Sequence, residues 1–438
     1  MSTTSTTNPA SASQTPSPVI DPELPAPLSM GDVLRVPMMR RLWYAQIISV
    51  FGDFLALFAV INVITFHLHA NAQQVTGVQI AYMLPIAILG ILAGVFVDRW
   101  PLKPTMVSSD SIRACLCLLL IFATQLWHFY AILAAISVVS SFFSPAQGVA
   151  IRSAVPLHGL RSANALMQQV MFGMRIIGPA LAGVMVSYLG ARSCYAFDSA
   201  SFVGSALLIA SVPFMAAGPK AAAPTPATTD ASAIAKVWLD MKQGISFIVH
   251  HAALLFVILA MAAGMFVLGC FGPLIAIYVR DSLHASTKSF AIASAMIGLG
   301  MLVGINGLNT LGKNIKDTIL VYSGLCGIAV GLVILTSLPF LWSTILGNLI
   351  IGFSVAGIIV PSQTLFQKAT PPELMGRVGS TFMSIIFTAQ ISGLVLSGFL
   401  TQYIGVRQVF ALCAGMLVVL MAVGKIWMEP KPAAPQTA

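Results

Sequence analysis

Residues 252–279 read AALLFVILAMAAGMFVLGCFGPLIAIYV, an apolar run without one charged side chain. A helix of about 20 apolar residues crosses a bilayer core of about 30 Å, so this stretch is long enough to span a membrane. Working outward from it, runs of the same kind cover residues 42–67, 75–97, 105–126, 128–148, 163–189, 193–214, 287–311, 317–337, 340–364, 377–402 and 405–427. Hydrophobic residues make up 58% of the 438-residue chain and charged residues 8%, whereas soluble domains carry about 25% charge. The surface of a soluble protein could not hide this much apolar material. The expected fold is an all-α membrane protein of twelve transmembrane helices in two pseudo-symmetric six-helix bundles.

Orientation follows from where lysine and arginine fall. With the amino terminus inside, every Lys and Arg lies on the cytoplasmic side or at its edge, except Arg192, Arg280, Lys288 and Arg407 outside and Arg175 within a span. Both termini are therefore expected in the cytoplasm. The net charge of +9 is a topology signal, and no soluble domain is present to display a nucleic-acid surface.

Residues 1–30 are rich in Ser, Thr, Pro and Ala with no apolar run; nothing there offsets the entropy of ordering. The expected organisation is a disordered tail over 1–34, a six-helix bundle over 35–215, a cytoplasmic linker over 216–250, a second bundle over 251–428 and a short tail over 429–438. Within the linker, Ile234, Val237, Trp238, Met241, Ile245 and Ile248 share one helical face opposite Lys236, Asp240 and Gln243, as in a helix lying on the membrane surface. The six cysteines, all within or at the ends of spans, read as buried free thiols.

The two bundles read as copies of one another. Pro145, Gln147, Arg152, Pro156 and Arg161 fall on Pro361, Gln363, Lys368, Pro372 and Arg377 at one offset of 216 residues. Shifted by one, Arg175-Ile-Ile-Gly178-Pro179-Ala-Leu-Ala-Gly183 overlays Gln390-Ile-Ser-Gly393-Leu-Val-Leu-Ser-Gly398. The loop Gly94-x3-Asp98-Arg99-x3-Lys103 likewise overlays Gly307-x3-Leu311-Gly312-x3-Lys316. A repeat of this kind lets one half rock against the other around a site near the midplane.

Gly94-Val-Phe-Val-Asp98-Arg99-Trp-Pro-Leu-Lys103 resembles the signature loop between helices 2 and 3 of the major facilitator superfamily. Leu102 and Pro104 stand where that loop is often basic. Ser109-Asp110-Ser-Ile-Arg113-Ala114, Ala163-Asn164-Ala165-Leu166, Arg175-Ile-Ile-Gly178-Pro179 and Pro372-Glu373-Leu-Met-Gly376-Arg377-Val378 resemble its bacterial subgroup of enterobactin exporter and macrolide-efflux proteins. The resemblance covers residues 35–428. It implies a proton-driven exporter of the bacterial plasma membrane, acting as a monomer on a small organic molecule such as a drug, siderophore or secondary metabolite. It also implies that the loop holding Asp98 and Arg99 latches the outward-facing state by contacts between the halves, with Gly94 and Lys103 in the same loop; ordinary solvated loop charges are the alternative. Gly178, Pro179 and Gly183 resemble a degraded antiporter motif of helix 5.

Charges deep in a span are functional candidates. Asp53 lies about 16 Å into the first span and Arg175 about 18 Å into the fifth at 1.5 Å per residue, so opposite charges are expected at one depth. Pairing favours an ionised carboxylate and an apolar cavity a neutral one; alternation between the two surroundings would load and unload a proton. A static pair that only fixes helix packing is the alternative. Asp110 and Arg113, one helical turn apart, are expected to pair near the inner end of the third span and to serve structure or the gate. Asp198, near the outer end of the sixth, reads as a proton acceptor or as a snorkelling or capping carboxylate.

Catalysis finds no support. The chain lacks a Gly-x4-Gly-Lys-Ser/Thr loop for a nucleotide, its seven histidines lack metal-ligand spacing, and no nucleophile has a placed base, so neither a cofactor nor a metal is expected. Phe51, Phe54, Phe58, Phe66 and Phe271 leave a lipid or lysolipid carrier open as an alternative substrate class; a non-transporting membrane receptor or assembly factor is a third reading.

Overall fold

The computed structural model describes residues 28–97, 100–212, 242, 245–311, 315–370 and 375–427. They form α1 (Met30–Arg35), α2 (Pro37–Asn62), α3 (Ala72–Val97), α4 (Leu102–Leu119), α5 (Leu126–Ala154), α6 (Leu160–Ala210), α7 (Ala252–Asp281), α8 (Thr287–Leu311), α9 (Asp317–Ser337), α10 (Leu341–Ala369), α11 (Met375–Ile404) and α12 (Val406–Trp427). Among the described residues, ten helices are long and apolar enough to cross a membrane. The expected spans 75–97 and 163–189 fall on α3 and on the first part of α6.

Local chemistry sets the ends. Val36, ahead of Pro37, takes extended angles (φ −70°, ψ 115°) that separate α1 from α2, as the residue before proline must. Ahead of α3, Asn71 and Gln74 each accept the other's backbone N–H at 2.9 Å, a reciprocal cap. Gly190, at φ 76° inside α6, turns the chain back, so α6 is two antiparallel arms. A side chain at that φ would be strained.

The internal repeat is written in the backbone. Positive φ occurs at His69 and His284 (49° and 48°) and at Gly190 and Gly405 (76° and 80°), each pair 215 residues apart. Ala70 N–H bonds Ile64 O at 2.9 Å and Ala285 N–H bonds Val279 O at 3.0 Å at the same interval. Packing repeats too: α2 lies on α6 as α7 lies on α11, α3 on α5 as α8 on α10, and α4 on α6 as α9 on α12.

Contacts across the repeat are α6 with α8 and α3 with α11. Arg280, at the end of α7, reaches Thr65 O (2.8 Å) and Ala70 O (2.7 Å) beyond the end of α2. Consecutive helices run antiparallel, so this contact places Pro37 and Trp427 at one end of the bundle, here the terminal end. At the opposite, far end, Gln402 bonds Gln73, Phe58 stacks on Phe290 at 4.7 Å, Gly398 abuts Thr76 and Gly183 abuts Ala291. These contacts close the far end between the two sets of helices.

Several expectations change. Residues 28–34, assigned by composition to the tail, are ordered: Ser29 caps α1, Val33 is fully buried, and Ser162 donates to Leu28 O at 2.6 Å. Cys115 and Cys326 are exposed, while Cys117, Cys194, Cys270 and Cys413 are buried. Of the proposed surface helix, most lies outside the described residues; 245–250 are helical, and Ile248 is buried while Ile245 is exposed.

Candidate functional site

Helices α2 to α6 enclose a cavity of about 340 Å³. Asp53 of α2 lies half-buried in its wall with Gln46, Tyr82 of α3, Arg113 of α4, and Gln147 of α5. Tyr82 shares the cavity wall with Asp53, and the charges of Arg113 and Asp110 act on the Asp53 carboxylate. Gln147 donates to Gln46 Oε1 at 2.5 Å, and Gln46 contacts Met171 Sδ at 3.7 Å, so amide groups line the wall on the terminal side of Asp53.

Arg113 is 4% exposed and Asp110 0%, and they form a buried ion pair one helical turn apart on α4. Ser205 of the second arm of α6 donates to the other Asp110 oxygen at 2.6 Å. The guanidinium carbon lies 4.4 Å from the ring centroids of both Phe143 and Phe202, a cation–π sandwich that helps hold a charge away from water. Its Nε is buried without a hydrogen-bond partner among the described residues. An arginine so immobilised presents a fixed positive charge to the cavity.

A third carboxylate lies behind the cavity wall. Asp198 is 1% exposed, accepts from Cys117 Sγ at 3.0 Å and from Ser201 Oγ at 3.3 Å, and is within electrostatic reach of Asp53. Gly52 makes this possible: a Cβ there would collide with Asp198 Oδ1 and Ser201 Oγ. Asp53, Asp110 and Asp198 thus gather around a single guanidinium.

This corrects the sequence reading at three points. Arg113, expected near the helix end, faces the Asp53 cavity. Asp198, read as a proton acceptor or as a snorkelling or capping carboxylate, is enclosed by α2, α4 and α6 rather than exposed at the span end, because the turn at Gly190 folds its arm inward. Of the phenylalanines taken as a greasy substrate surface, only Phe54 lines this cavity; Phe58 and Phe66 pack on Phe290, Phe51 on Phe197 and Phe271 on Phe410.

The remaining candidates are placed as follows. Arg175 lies in the first arm of α6 and Gly94 in α3, the side chain of Arg175 and the surroundings of Gly94 being outside the described residues, as are Asp98 and Arg99 altogether. Lys103 donates to Val212 O at 3.1 Å, binding a carbonyl just past α6, where a cation is favourable. Gly178 lets Phe54 approach and Gly183 lets Ala291 approach; Pro179 lies between them on α6, its side-chain surroundings outside the described residues. Asp198 carries a signal in the sequence, a carboxylate inside an apolar run, which marks it there as one candidate proton acceptor.

A family model described as Major Facilitator Superfamily matches residues 42–393. An MFS-type transporter of Bacillus subtilis (strain 168), YfiS, is 27% identical over 393 residues, 87% of this chain and 91% of its own. Macrolide efflux protein A of Streptococcus pyogenes is 25% identical over 87% of this chain and 93% of its own. Multidrug efflux pump Tap of Mycolicibacterium fortuitum is 24% identical over 80% and 86%. Among solved structures, a mutant of the nucleoside transporter NupG superposes with a TM-score of 0.66 at 14% identity, covering 90% of this chain and 100% of that one. A bacterial homologue of the human lysosomal transporter Spinster, inward-facing and unoccupied, gives 0.62 at 13%, covering 91% and 96%. At those identities the structures speak for the fold alone, but the family match spans most of the chain: it belongs to the major facilitator superfamily, as a multi-pass membrane transporter.

Proposed function

We propose that this transporter exports a small organic molecule in exchange for protons by alternating access between its two six-helix halves. The observation that carries the reading is Asp53: a carboxylate in the wall of a cavity, beside a tyrosine hydroxyl and an arginine fixed by its own ion pair. A carboxylate placed between a fixed cation and an open cavity can be ionised by one and neutralised by the other as the halves move. The efflux activities named for relatives in Streptococcus and Mycolicibacterium support export.

Lysine and arginine placement puts the terminal end in the cytoplasm, and the closed far end then makes this arrangement inward-open. In that state the cavity takes substrate from the cytoplasm. Its amides Gln46 and Gln147, hydroxyls of Ser140 and Ser144, and rings of Phe54 and Phe143 suit an organic molecule with both polar and apolar faces better than a bare acyl chain. Gate roles for Asp98, Arg99 and Lys103, and a coupling or substrate role for Arg175, belong to the same proposal.

The test uses the full chain in proteoliposomes with a macrolide such as erythromycin as the first probe. An imposed proton gradient should drive uphill movement of the macrolide, and collapse of the gradient with a protonophore should stop it. Uphill transport indifferent to the protonophore would refute proton coupling. Transport of a fluorescent lysolipid with no transport across a panel of drugs would favour the lipid-carrier alternative.

A further inference from the structure

A second cavity, of about 510 Å³, opens at the far end between the turn after α2, the end of α4, the start of α5 and the bend of α6. Its walls include His67, Leu120, Arg192 and Tyr195, all from the first six spans. It therefore does not depend on whether the two halves are closed against each other. Tyr195 is 2% exposed, and its hydroxyl has no hydrogen-bond partner among the described residues. A buried hydroxyl without a protein partner is a place where water is held.

One helical turn further in, the polar chain continues. Tyr195 and Asp198 are three residues apart on α6 and so share a helix face, and Leu120, in the turn that directly continues α4, is three residues from Cys117. Cys117 Sγ meets Asp198 Oδ2 at 3.0 Å. Gly52 of α2 touches Asp198 on its other side, and Asp53 follows Gly52 in the chain. Within electrostatic reach of Asp198 are Asp53 from α2, Tyr82 from α3, and Arg113 and Cys117 from α4, with Asp110 paired to Arg113.

We infer that Asp198 is a second proton-carrying carboxylate, loaded from the far face through this cavity past Tyr195, and that it hands its proton to Asp53. The inference rests on the proton-coupled reading of the Asp53 cavity and adds the route by which the proton arrives. Water in the outer cavity gives a proton to an Asp198 carboxylate oxygen, and the water keeps the electron pair of the broken O–H bond. The neutral Asp198 carboxyl then passes that proton to the Asp53 carboxylate, and the Asp53 carboxyl gives it to water of the main cavity when substrate binds, leaving both carboxylates ionised; no electrons are gained or lost. Cys117 holds the Asp198 carboxylate towards this path by its hydrogen bond, as a positioning residue.

The route predicts separable variants in the full-length protein reconstituted in lipid. Difference infrared spectroscopy after a pH jump should show carboxyl C=O bands, one absent in Asp198→Asn and a different one absent in Asp53→Asn. Tyr195→Phe should delay the Asp198 band about tenfold, equivalent to about 1.4 kcal/mol of barrier, without moving its pH midpoint. With erythromycin as the probe, Asp198→Asn should lose gradient-driven transport and retain exchange of erythromycin across the membrane. If Asp198→Asn does not fold, Asp198→Glu and Tyr195→Phe provide the same infrared readout. An unchanged Asp198 band in Tyr195→Phe, or full gradient-driven transport in Asp198→Asn while Asp53→Asn is inactive, overturns the inference and spares the proton-coupled reading. Full transport in both Asp53→Asn and Asp198→Asn overturns both.

Discussion

Replacing Arg113 by glutamine should be among the most damaging single changes in this protein, and the reason lies in what it strands. Asp110 is fully buried and meets Arg113 as its ion-pair partner, with Ser205 on its other oxygen at 2.6 Å. Taking the guanidinium away leaves a carboxylate in an apolar interior, a loss of about 3–5 kcal/mol for a buried pair broken on one side. Loss of the cation–π contacts to Phe143 and Phe202, each at 4.4 Å, adds about 0.5–2 kcal/mol. Removing both charges, with Asp110→Asn and Arg113→Gln together, leaves no stranded charge, and an amide can still accept from Ser205. Heat denaturation of the detergent-purified chain provides the assay, at one scan rate for all variants because such unfolding is irreversible. The midpoints should fall in the order wild type, double variant, Arg113→Gln. A double variant no better than Arg113→Gln, or effects that simply add, would show that the pair is not coupled and refute this reasoning.

Three further outcomes are expected. Gly190→Ala and Gly405→Ala, at φ 76° and 80°, should each cost about 1 kcal/mol through left-handed strain, read as lowered melting midpoints; unchanged midpoints would contradict the backbone assignment at these turns. Arg280→Gln removes the donor that holds Thr65 and Ala70 carbonyls across the halves, two charge-assisted bonds of about 1.5–3 kcal/mol each. Labelling of Leu57→Cys by a membrane-impermeant thiol reagent from the far face should rise in that background, and equal labelling would argue against a seal there. Asp98→Ala or Arg99→Ala should raise thiol access to the same position from the terminal end, since each removes a charge from the proposed latch of the outward-facing state; unchanged access in both would leave them as ordinary loop charges.

The span pattern was legible because bilayer thickness dictates segment length, and the runs around 252–279 and 317–337 admit no other reading. Asp53 stood out for the same reason, as a carboxylate within an apolar run. Its surroundings were not legible, because linear depth along a span does not say which helix faces which. Depth alone matched Asp53 with Arg175; packing brings Arg113 to the same cavity through the closeness of α2, α4 and α6. Asp198 stands out in the sequence as a candidate proton acceptor, but its burial does not: counted from the start of its run it looks superficial, and the bend at Gly190 and the missing side chain at Gly52 enclose it. The phenylalanines were open to both readings, because ring-on-ring packing between helices and a substrate surface have the same composition. The tail boundary erred where Ser29 caps a helix too short to show apolar periodicity.

The central claim is that Asp53 carries the coupled proton. Its most direct measurement is erythromycin movement by wild type and Asp53→Asn in proteoliposomes, with and without an imposed proton gradient. The amide keeps the shape of the carboxylate and cannot titrate, so the variant should exchange erythromycin down its concentration gradient yet fail to move it uphill at any pH. Uphill transport by Asp53→Asn at the wild-type rate, with the wild-type dependence on pH, would contradict the account.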